Sequence, residues 1–321
     1  MPIFEMPLHE LRLYQGRNPR PEDFDAYWAA ALGELASIDS NVALHPVDYA
    51  ATFADCFDLQ FTGVGGARIY AKYLRPRGLA SSRGPAVAVF HGYSGSSPDW
   101  FTLLPYVAQG WCVAALDCRG QGGRSEDVGG VTGNTLQGHI IRGLLDSPHK
   151  LLYRYIFLDC VQLMRILMTF PEVDADRLAV TGASQGGGLS LACAALEPRV
   201  KLAAPIYPFL SDYQRTWEMD LDVEAYLELR QFFRRFDPRH ERDQEIFTTL
   251  GYIDVQHLAA RIQARVLMAV GLMDMVCAPS TQFAAYNKIT SPKEMVIYPD
   301  FAHETLPDLA DRVFDFLCTH L

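Results

Sequence analysis

Several features that mark particular protein classes are scarce or absent in this sequence of 321 residues. The seven cysteines are an odd number without a Cys-x-x-Cys motif, which argues against a disulfide framework and predicts reduced, buried thiols. No apolar run approaches the roughly 18 residues that a membrane-spanning helix needs. Lys and Arg number 28 against 38 Asp and Glu, so the basic excess typical of nucleic-acid and anionic-membrane binding is missing. The expected partner is therefore a small, roughly neutral molecule.

The amino-terminal residues also lack the pattern of a secretion signal. Residues 1–6 carry no basic segment ahead of an apolar run, and an acid stands at position 5. We therefore expect no signal peptide and a cytoplasmic location. Internal repeats and low-complexity runs are absent too, which excludes solenoids and arrays.

What the sequence does contain is enough apolar material for a large core. Hydrophobic residues make up 49% of the chain and the net charge is only −10, a combination that excludes disorder. A chain of this length needs no metal or disulfide to stabilise its core. We expect one domain over residues 1–321, with an amino-terminal helix and antiparallel strands in 1–80 and a helical insertion at 209–263.

The middle and end of the chain alternate short apolar runs with helical patterns. The runs are continuous rather than alternating, which is typical of parallel strands covered on both faces. The runs are 85–90, 111–116, 178–181, 201–206, 265–270 and 294–298, and the helical segments are 99–109, 151–170, 184–197, 279–289 and 305–319. This order predicts an α/β fold with a doubly wound, mostly parallel sheet, helices on both faces and reactive groups at the carboxyl ends of the strands.

The flanking and inserted segments have other patterns. Residues 22–38 show helical spacing, 49–61 and 67–74 are rich in strand formers, and 63–66 predict a hairpin turn between them. Residues 119–150 form a long Gly-rich loop, and such loops are often functional. Helices are predicted at 223–236 and 244–250, where the insertion would form a cap over the carboxyl edge of the sheet.

Ser184 is the candidate nucleophile. It lies in Gly182-Ala183-Ser184-Gln185-Gly186, between a buried strand and an Ala/Leu-rich helix. A tight strand-to-helix turn needs small flanking residues, lifts the hydroxyl off the sheet and aims the helix amino terminus at it. The alternative is a glycine-rich turn with a capping serine.

Asp274 and His303 are the candidate acid and base. A serine nucleophile needs a base, the base needs an orienting acid, and this fold supplies them in the order Ser, Asp, His. Asp274 follows the strand at 265–270, and His303 lies between the last strand and the last helix. The alternatives are a loop-capping aspartate and a structural histidine.

Two backbone N–H groups are the candidate oxyanion donors. One comes from Gln185, directly after the nucleophile, and the other from Tyr93, in the loop after the first parallel strand. The Tyr93 ring either contributes to substrate binding as a wall of the acyl pocket or packs under its loop. No metal-ligand spacing, dinucleotide fingerprint or phosphate loop occurs in the sequence, so we predict neither a metal nor another cofactor.

With these residues identified, the chain resembles carbohydrate esterase family seven of the α/β-hydrolase superfamily, which contains acetyl xylan esterases and cephalosporin C deacetylases. The resemblance spans almost the whole length. It rests on Met6-Pro7-Leu8, the segment 23–28, His91-Gly92-Tyr93, the segments 117–122, 133–143, 182–188 and 271–274, and His303-Glu304. One departure is Glu224-Ala225-Tyr226, where relatives often carry His-Pro-Tyr in a segment that helps to shape the substrate pocket.

The resemblance implies removal of acetyl groups from small substrates, namely acetylated xylo-oligosaccharides and the acetoxymethyl ester of cephalosporins. It implies a homohexamer whose active sites face an internal cavity. The family's triad falls on Ser184, Asp274 and His303, and its oxyanion donors fall on Tyr93 and Gln185. Arg119-Gly120-Gln121 is a further mark of the family, and we favour a structural role for it in bracing the neighbouring loop.

Two other functions remain as alternatives. One keeps the fold but acts on peptides or lactones; however, peptidases of this fold usually carry a large extra domain, and dienelactone-type enzymes prefer a cysteine nucleophile. The other is a non-catalytic carbohydrate-binding scaffold, although such proteins usually lose a triad member and here none is missing.

Overall fold

The computed structural model describes residues 5–78, 83–131 and 139–321. In this part of the chain a nine-stranded sheet has the spatial order β1-β2-β3-β5-β4-β6-β7-β8-β9. The strands are β1 (Ala43–Val47), β2 (Ala54–Thr62), β3 (Arg68–Pro76), β4 (Gly84–Phe90), β5 (Cys112–Leu116), β6 (Val173–Ala183), β7 (Leu202–Ile206), β8 (Arg265–Gly271) and β9 (Lys293–Tyr298). β1, β2, β3 and β5 pair antiparallel in that order, and the strands from β5 to β9 pair parallel. The predicted mostly parallel α/β sheet is confirmed.

Both faces of the sheet are covered at β4, which explains why this strand is continuously apolar. In β4, Ala88 belongs to a core cluster that includes Phe157, whereas the adjacent Val87 belongs to a second cluster with Leu103 and Val313. Successive residues of a strand point to opposite faces, so each face of β4 buries apolar side chains against helices.

Eight of the described helices agree with the predicted segments to within a few residues, whereas the short helices at Leu8–Leu11, Tyr213–Glu218 and Val255–Leu258 had no predicted segment of their own. Among the described residues the helices are α1 (Leu8–Leu11), α2 (Phe24–Ala36), α3 (Trp100–Ala108), α4 (Leu152–Leu167), α5 (Gln185–Leu196), α6 (Tyr213–Glu218), α7 (Leu227–Phe236), α8 (Asp243–Gly251), α9 (Val255–Leu258), α10 (Pro279–Lys288) and α11 (Leu309–His320). None of these helices is both long enough and apolar enough to cross a membrane. Helices α6 to α9 occupy the segment between β7 and β8 that was predicted as an insertion.

The amino-terminal strands differ from the prediction. The strand predicted at 49–61 begins only at Ala54, and β1 was not predicted. β1 is an exposed edge strand that contains Pro46, so it lacks the buried alternation by which strands are recognised. The predicted hairpin turn is confirmed: Gly66 N–H donates to the Gly63 carbonyl between the antiparallel strands β2 and β3.

Two other predictions need adjustment. Six cysteines are buried and all seven are free, but Cys318 on α11 is exposed, contrary to the expectation that all are buried. The helix predicted from residue 223 starts as a short 3-10 turn at Glu224–Tyr226, and its α-helical part begins at Leu227. Residues 132–138 of the predicted Gly-rich loop lie outside the described residues.

Candidate active site

Ser184 occupies a tight turn between β6 and α5. Its backbone has φ 58° and ψ −117°, a conformation that side chains other than glycine rarely adopt and that costs about 1–3 kcal/mol. A Cβ added to Gly182 or Gly186 would lie 2.4 Å or 2.0 Å from the carbonyl oxygen of Phe90. The flanking glycines are therefore required by the close approach of β4, as the sequence pattern predicts.

Asp274 and His303 form the predicted pair at the carboxyl edge of the sheet. Asp274 is fully buried after β8, and its Oδ1 accepts the N–H groups of Val276 at 2.9 Å and Cys277 at 2.8 Å. The other oxygen, Oδ2, lies 2.8 Å from His303 Nδ1. Since an ionised carboxylate only accepts hydrogen bonds, this contact assigns the proton to Nδ1 and leaves Nε2 as an acceptor. The His303 side chain is 22% exposed, so the imidazole remains open to a substrate.

The Ser184 side chain hydrogen-bonds Cys277, a neighbour that the sequence reasoning missed. Burial raises the pKa of the Cys277 thiol well above its usual value, and the hydrogen bond from Ser184 partly offsets this rise. In the described part of the chain, no hydrogen bond joins the Ser184 hydroxyl to His303. The structure thus brings Asp274 and His303 into contact and holds Ser184 against the adjacent Cys277. Catalytic hydrogen bonds are often long in unliganded enzymes, so the Ser184–His303 step stays a prediction.

Among the described residues, Asp274, Cys277 and His303 also lie close enough together to hold a cation. One ligand atom from each lies within 4.8 Å of the other two. Carboxylate, thiolate and imidazole are ligands that zinc accepts. A cation bound between Asp274 and His303 would displace the proton of His303 Nδ1 and break the hydrogen bond that orients the proposed base.

Tyr207 is a second neighbour that the sequence reasoning did not select. It directly follows β7, and its ring lies 4.6 Å from the imidazole of His303, centroid to centroid. Burial raises the pKa of Tyr207, so its hydroxyl stays neutral. The ring limits the positions that His303 adopts. The sequence could have identified Tyr207 by its position directly after a strand, because a residue there lies at the same edge of the sheet as Ser184, Asp274 and His303.

The Gln185 side chain joins the nucleophile turn to the loop after β4. Its Oε1 accepts from Tyr153 Oη at 2.6 Å and from Gln121 Nε2 at 2.8 Å. Its Nε2 lies 3.3 Å from the carbonyl oxygen of His91 and 3.4 Å from that of Gly92. The residue proposed as one oxyanion donor therefore holds the loop that carries the other.

The Tyr93 side chain is fixed from two directions. Its hydroxyl donates to a carboxylate oxygen of Glu228 on α7 and accepts the N–H of His139 at 3.3 Å. The ring makes edge contacts with Phe209 and His139, with centroids 5.5 Å and 4.9 Å away. The ring therefore packs against Phe209 and His139, while its substrate-binding role stays a prediction.

The Arg119-Gly120-Gln121 segment braces the same region. The guanidinium of Arg119 makes two hydrogen bonds to Asp159, at 2.7 and 2.6 Å, and both side chains are 1% exposed. Gln121 Oε1 accepts the N–H of Ser94 at 3.0 Å in addition to its bonds with Gln185. These contacts agree with the structural role favoured from the sequence.

Comparison with known families gives a match over nearly the full chain. The model of the acetyl xylan esterase family (AXE1) matches residues 1–320. A curated relative, the acetyl esterase Axe7A of Xylanibacter ruminicola, is 29% identical over 291 residues. That alignment covers 89% of this chain but 64% of the relative, so the chain spans about two thirds of that protein.

Three solved structures match over nearly their full length. Acetyl xylan esterase 1 from Thermoanaerobacterium sp. JW/SL YS485 is 57% identical with a TM-score of 0.96, covering 98% of this chain and 99% of that one. Acetyl xylan esterase from Paenibacillus sp. R4 is 36% identical with a TM-score of 0.94, covering 98% and 100%. The α/β hydrolase GrgF from Penicillium sp. sh18, 18% identical with a TM-score of 0.56, covers 83% of this chain and 98% of its own and shares the fold alone.

Proposed function

The chain belongs to the acetyl xylan esterase family of carboxylic ester hydrolases, and we propose that it removes acetyl groups from small substrates through an acyl-enzyme on Ser184. The observation that carries this proposal is the contact of 2.8 Å between His303 Nδ1 and the buried Asp274 carboxylate beside the strained Ser184 turn.

The first half-reaction transfers the acetyl group to the protein. His303 Nε2 takes the proton of the Ser184 hydroxyl as the oxygen attacks the acetyl carbonyl. The carbonyl oxygen becomes an oxyanion, which the backbone N–H groups of Tyr93 and Gln185 stabilise by about 3–4 kcal/mol each. His303 then donates its proton to the departing alcohol, and Asp274 stabilises the transient imidazolium and fixes its orientation.

The second half-reaction releases acetate. His303 takes a proton from water, the hydroxide attacks the acetyl carbonyl, and Ser184 leaves with the proton from His303. These steps use only protein groups and water. We also propose, on the basis of the family membership, that the substrates include acetylated xylo-oligosaccharides and the cephalosporin ester. The same proposal includes a cytoplasmic location and a homohexamer whose active sites face an internal cavity. Light scattering in solution measures the proposed assembly.

The test is hydrolysis of a chromogenic acetate ester by the wild type and by Ser184→Ala. We expect the substitution to lower kcat on the order of a million-fold, because the triad acts as a unit. Ser190→Ala is a matched control on the same helix: Ser190 is buried and its hydroxyl bonds only the Gly186 carbonyl among the described contacts. This variant should keep the wild-type rate.

Comparing several substrates tests which class of ester the protein prefers. Acetylated xylobiose and cephalosporin C should be deacetylated, and esters with longer acyl chains, a peptide anilide and a lactone should react more slowly. Equal rates for wild type and Ser184→Ala would contradict the acyl-enzyme mechanism. Faster cleavage of the anilide or the lactone would contradict acetyl esters as the substrate class.

A further inference from the structure

A buried carboxylate on helix α7 contacts the oxyanion side of the site. Glu228 is 1% exposed and lies far from Tyr93 and from residues 139–141 in the sequence. One of its oxygens accepts the Tyr93 hydroxyl. The other accepts the N–H of Ile140 at 3.0 Å and the N–H of Ile141 at 3.2 Å. One side chain thus joins three separate segments of the chain.

We infer that Glu228 is a positioning residue, which holds the Tyr93 loop and the 139–141 backbone against α7 so that the Tyr93 N–H stays aimed at the oxyanion. This inference rests on the proposed function, because the oxyanion is formed in that reaction. Helix α7 belongs to the segment between β7 and β8, so the contact also links that segment to the chemistry of the sheet edge.

The contact is suited to positioning because the Tyr93 hydroxyl and two amide N–H groups supply the hydrogen bonds that the buried carboxylate needs, without a cation. No Lys or Arg pairs with Glu228 among the described ion pairs, and burying a carboxylate without hydrogen bonds would be very costly. Among the described residues, the titratable groups that interact with Glu228 are the hydroxyls of Tyr93, Tyr153 and Tyr213, and the imidazole of His139 contacts the Tyr93 ring. All four are neutral near pH 7, since burial raises the pKa of each tyrosine and lowers that of His139 to about 4.

The geometry survives protonation of the carboxyl group. Burial raises the pKa of Glu228 to about 8, although its hydrogen bonds with Tyr93 and the two amides oppose the rise. When protonated, the carboxyl still accepts the two amide N–H groups and can donate its own proton to the Tyr93 oxygen. A glutamine reproduces both contacts, since its carbonyl accepts and its NH₂ donates. An alanine reproduces neither.

The experiment compares Glu228→Ala with Glu228→Gln on a chromogenic acetate ester. A misplaced oxyanion donor reduces the stabilisation of the transition state more than it reduces substrate binding. Glu228→Ala should therefore lower kcat by about 10- to 100-fold with little change in KM. Glu228→Gln should stay within about threefold of wild type, because it keeps the hydrogen bonds. Retention of kcat by Glu228→Ala, or an equal loss in both variants, would overturn the inference.

A matched control separates positioning from general destabilisation. Asp254 is equally buried, accepts backbone N–H groups of Asp212 and Gln256, and touches neither Tyr93 nor residues 139–141 in the described contacts. Asp254→Ala should lower the Tm but keep kcat. If it lowers kcat as far as Glu228→Ala at a similar Tm, the effect belongs to stability and the inference fails.

Hydrogen exchange gives a readout that does not depend on activity. The amides of Ile140 and Ile141 should be protected in the wild type and in Glu228→Gln, and should exchange faster in Glu228→Ala. Unchanged exchange in Glu228→Ala would contradict the contact even if the protein is an active esterase. If the wild type fails to hydrolyse acetate esters, the proposed function fails, and exchange at these amides still decides whether Glu228 holds the loop.

Discussion

Two buried carboxylates hold the two sides of the candidate site in the same way. Asp274 accepts two backbone N–H groups with one oxygen and His303 with the other; Glu228 accepts two backbone N–H groups with one oxygen and Tyr93 with the other. They differ in where their amide partners come from. Those of Asp274 lie two and three residues along the chain, whereas those of Glu228 lie 88 and 87 residues away.

Only contacts of the first kind, between residues close in the chain, can be recognised in a sequence. The Asp274 arrangement is a local turn after a strand, and its position is enough to select it. The Glu228 arrangement exists only after α7, the loop after β4 and residues 139–141 have come together. The two also differ in chemistry: the partner of Asp274 must gain and lose a proton during the proposed reaction, while the partner of Glu228 only has to stay in place.

Of the substitutions at these two carboxylates, the carboxylate-to-amide change at Asp274 is expected to have the largest effect. Asp274→Asn should lower kcat by about 10⁴-fold, because an amide can donate to Nδ1 and thereby stabilises the wrong tautomer of His303. The same change at the other site, Glu228→Gln, is expected to be nearly silent. Steady-state kinetics of both variants, with Tm measured alongside, checks this contrast. Similar losses of kcat at both positions would contradict the different roles of Asp274 and Glu228.

A smaller effect is expected on the free energy of unfolding, which should depend on pH through the titration of Glu228. Its usual pKa is 4.5 and burial raises it to about 8 in the folded protein. Between these values the folded state holds a proton that the unfolded chain has released, so the free energy of unfolding falls as pH rises. Relative to Glu228→Gln, the wild type should therefore lose stability from about pH 4.5 to about pH 8 and then level off.

Urea unfolding of the two proteins across pH 4.5–9 measures this difference. Asp254, whose pKa burial raises to about 7, is present in both proteins, and its contribution cancels in the subtraction. A stability difference that does not change with pH would show that the Glu228 carboxyl titrates alike in both states.

The sequence was sufficient to predict the strands and helices that have a local pattern of apolar residues. The continuous apolar runs identified the largely buried strands β4 to β8 and also the half-buried edge strand β9. The spacing of apolar residues identified most of the helices. β1 escaped because an exposed edge strand with a proline has neither pattern. Ser184, Asp274 and His303 were selected because a strand end is recognisable in sequence, and the structure brings the last two into hydrogen-bonding contact.

The sequence did not reveal the residues that support the site. Glu228 looks like any acidic residue of an amphipathic helix, and its role depends on a distant loop. Cys277 looks like a small apolar core residue, yet its thiol contacts the Ser184 hydroxyl. Such contacts depend on how elements pack against each other, and a single sequence carries no periodicity that encodes them.

Acyl transfer to Ser184 is tested most directly by a crystal structure of the protein after reaction with a small phosphonate ester, whose adduct mimics the tetrahedral intermediate. We predict phosphorus bonded to Ser184 Oγ and a phosphoryl oxygen about 2.7–3.1 Å from the backbone nitrogens of Tyr93 and Gln185, with His303 Nε2 beside the adduct. An adduct on another residue would contradict Ser184 as the nucleophile. A phosphoryl oxygen that points away from both nitrogens would contradict Tyr93 and Gln185 as the oxyanion donors.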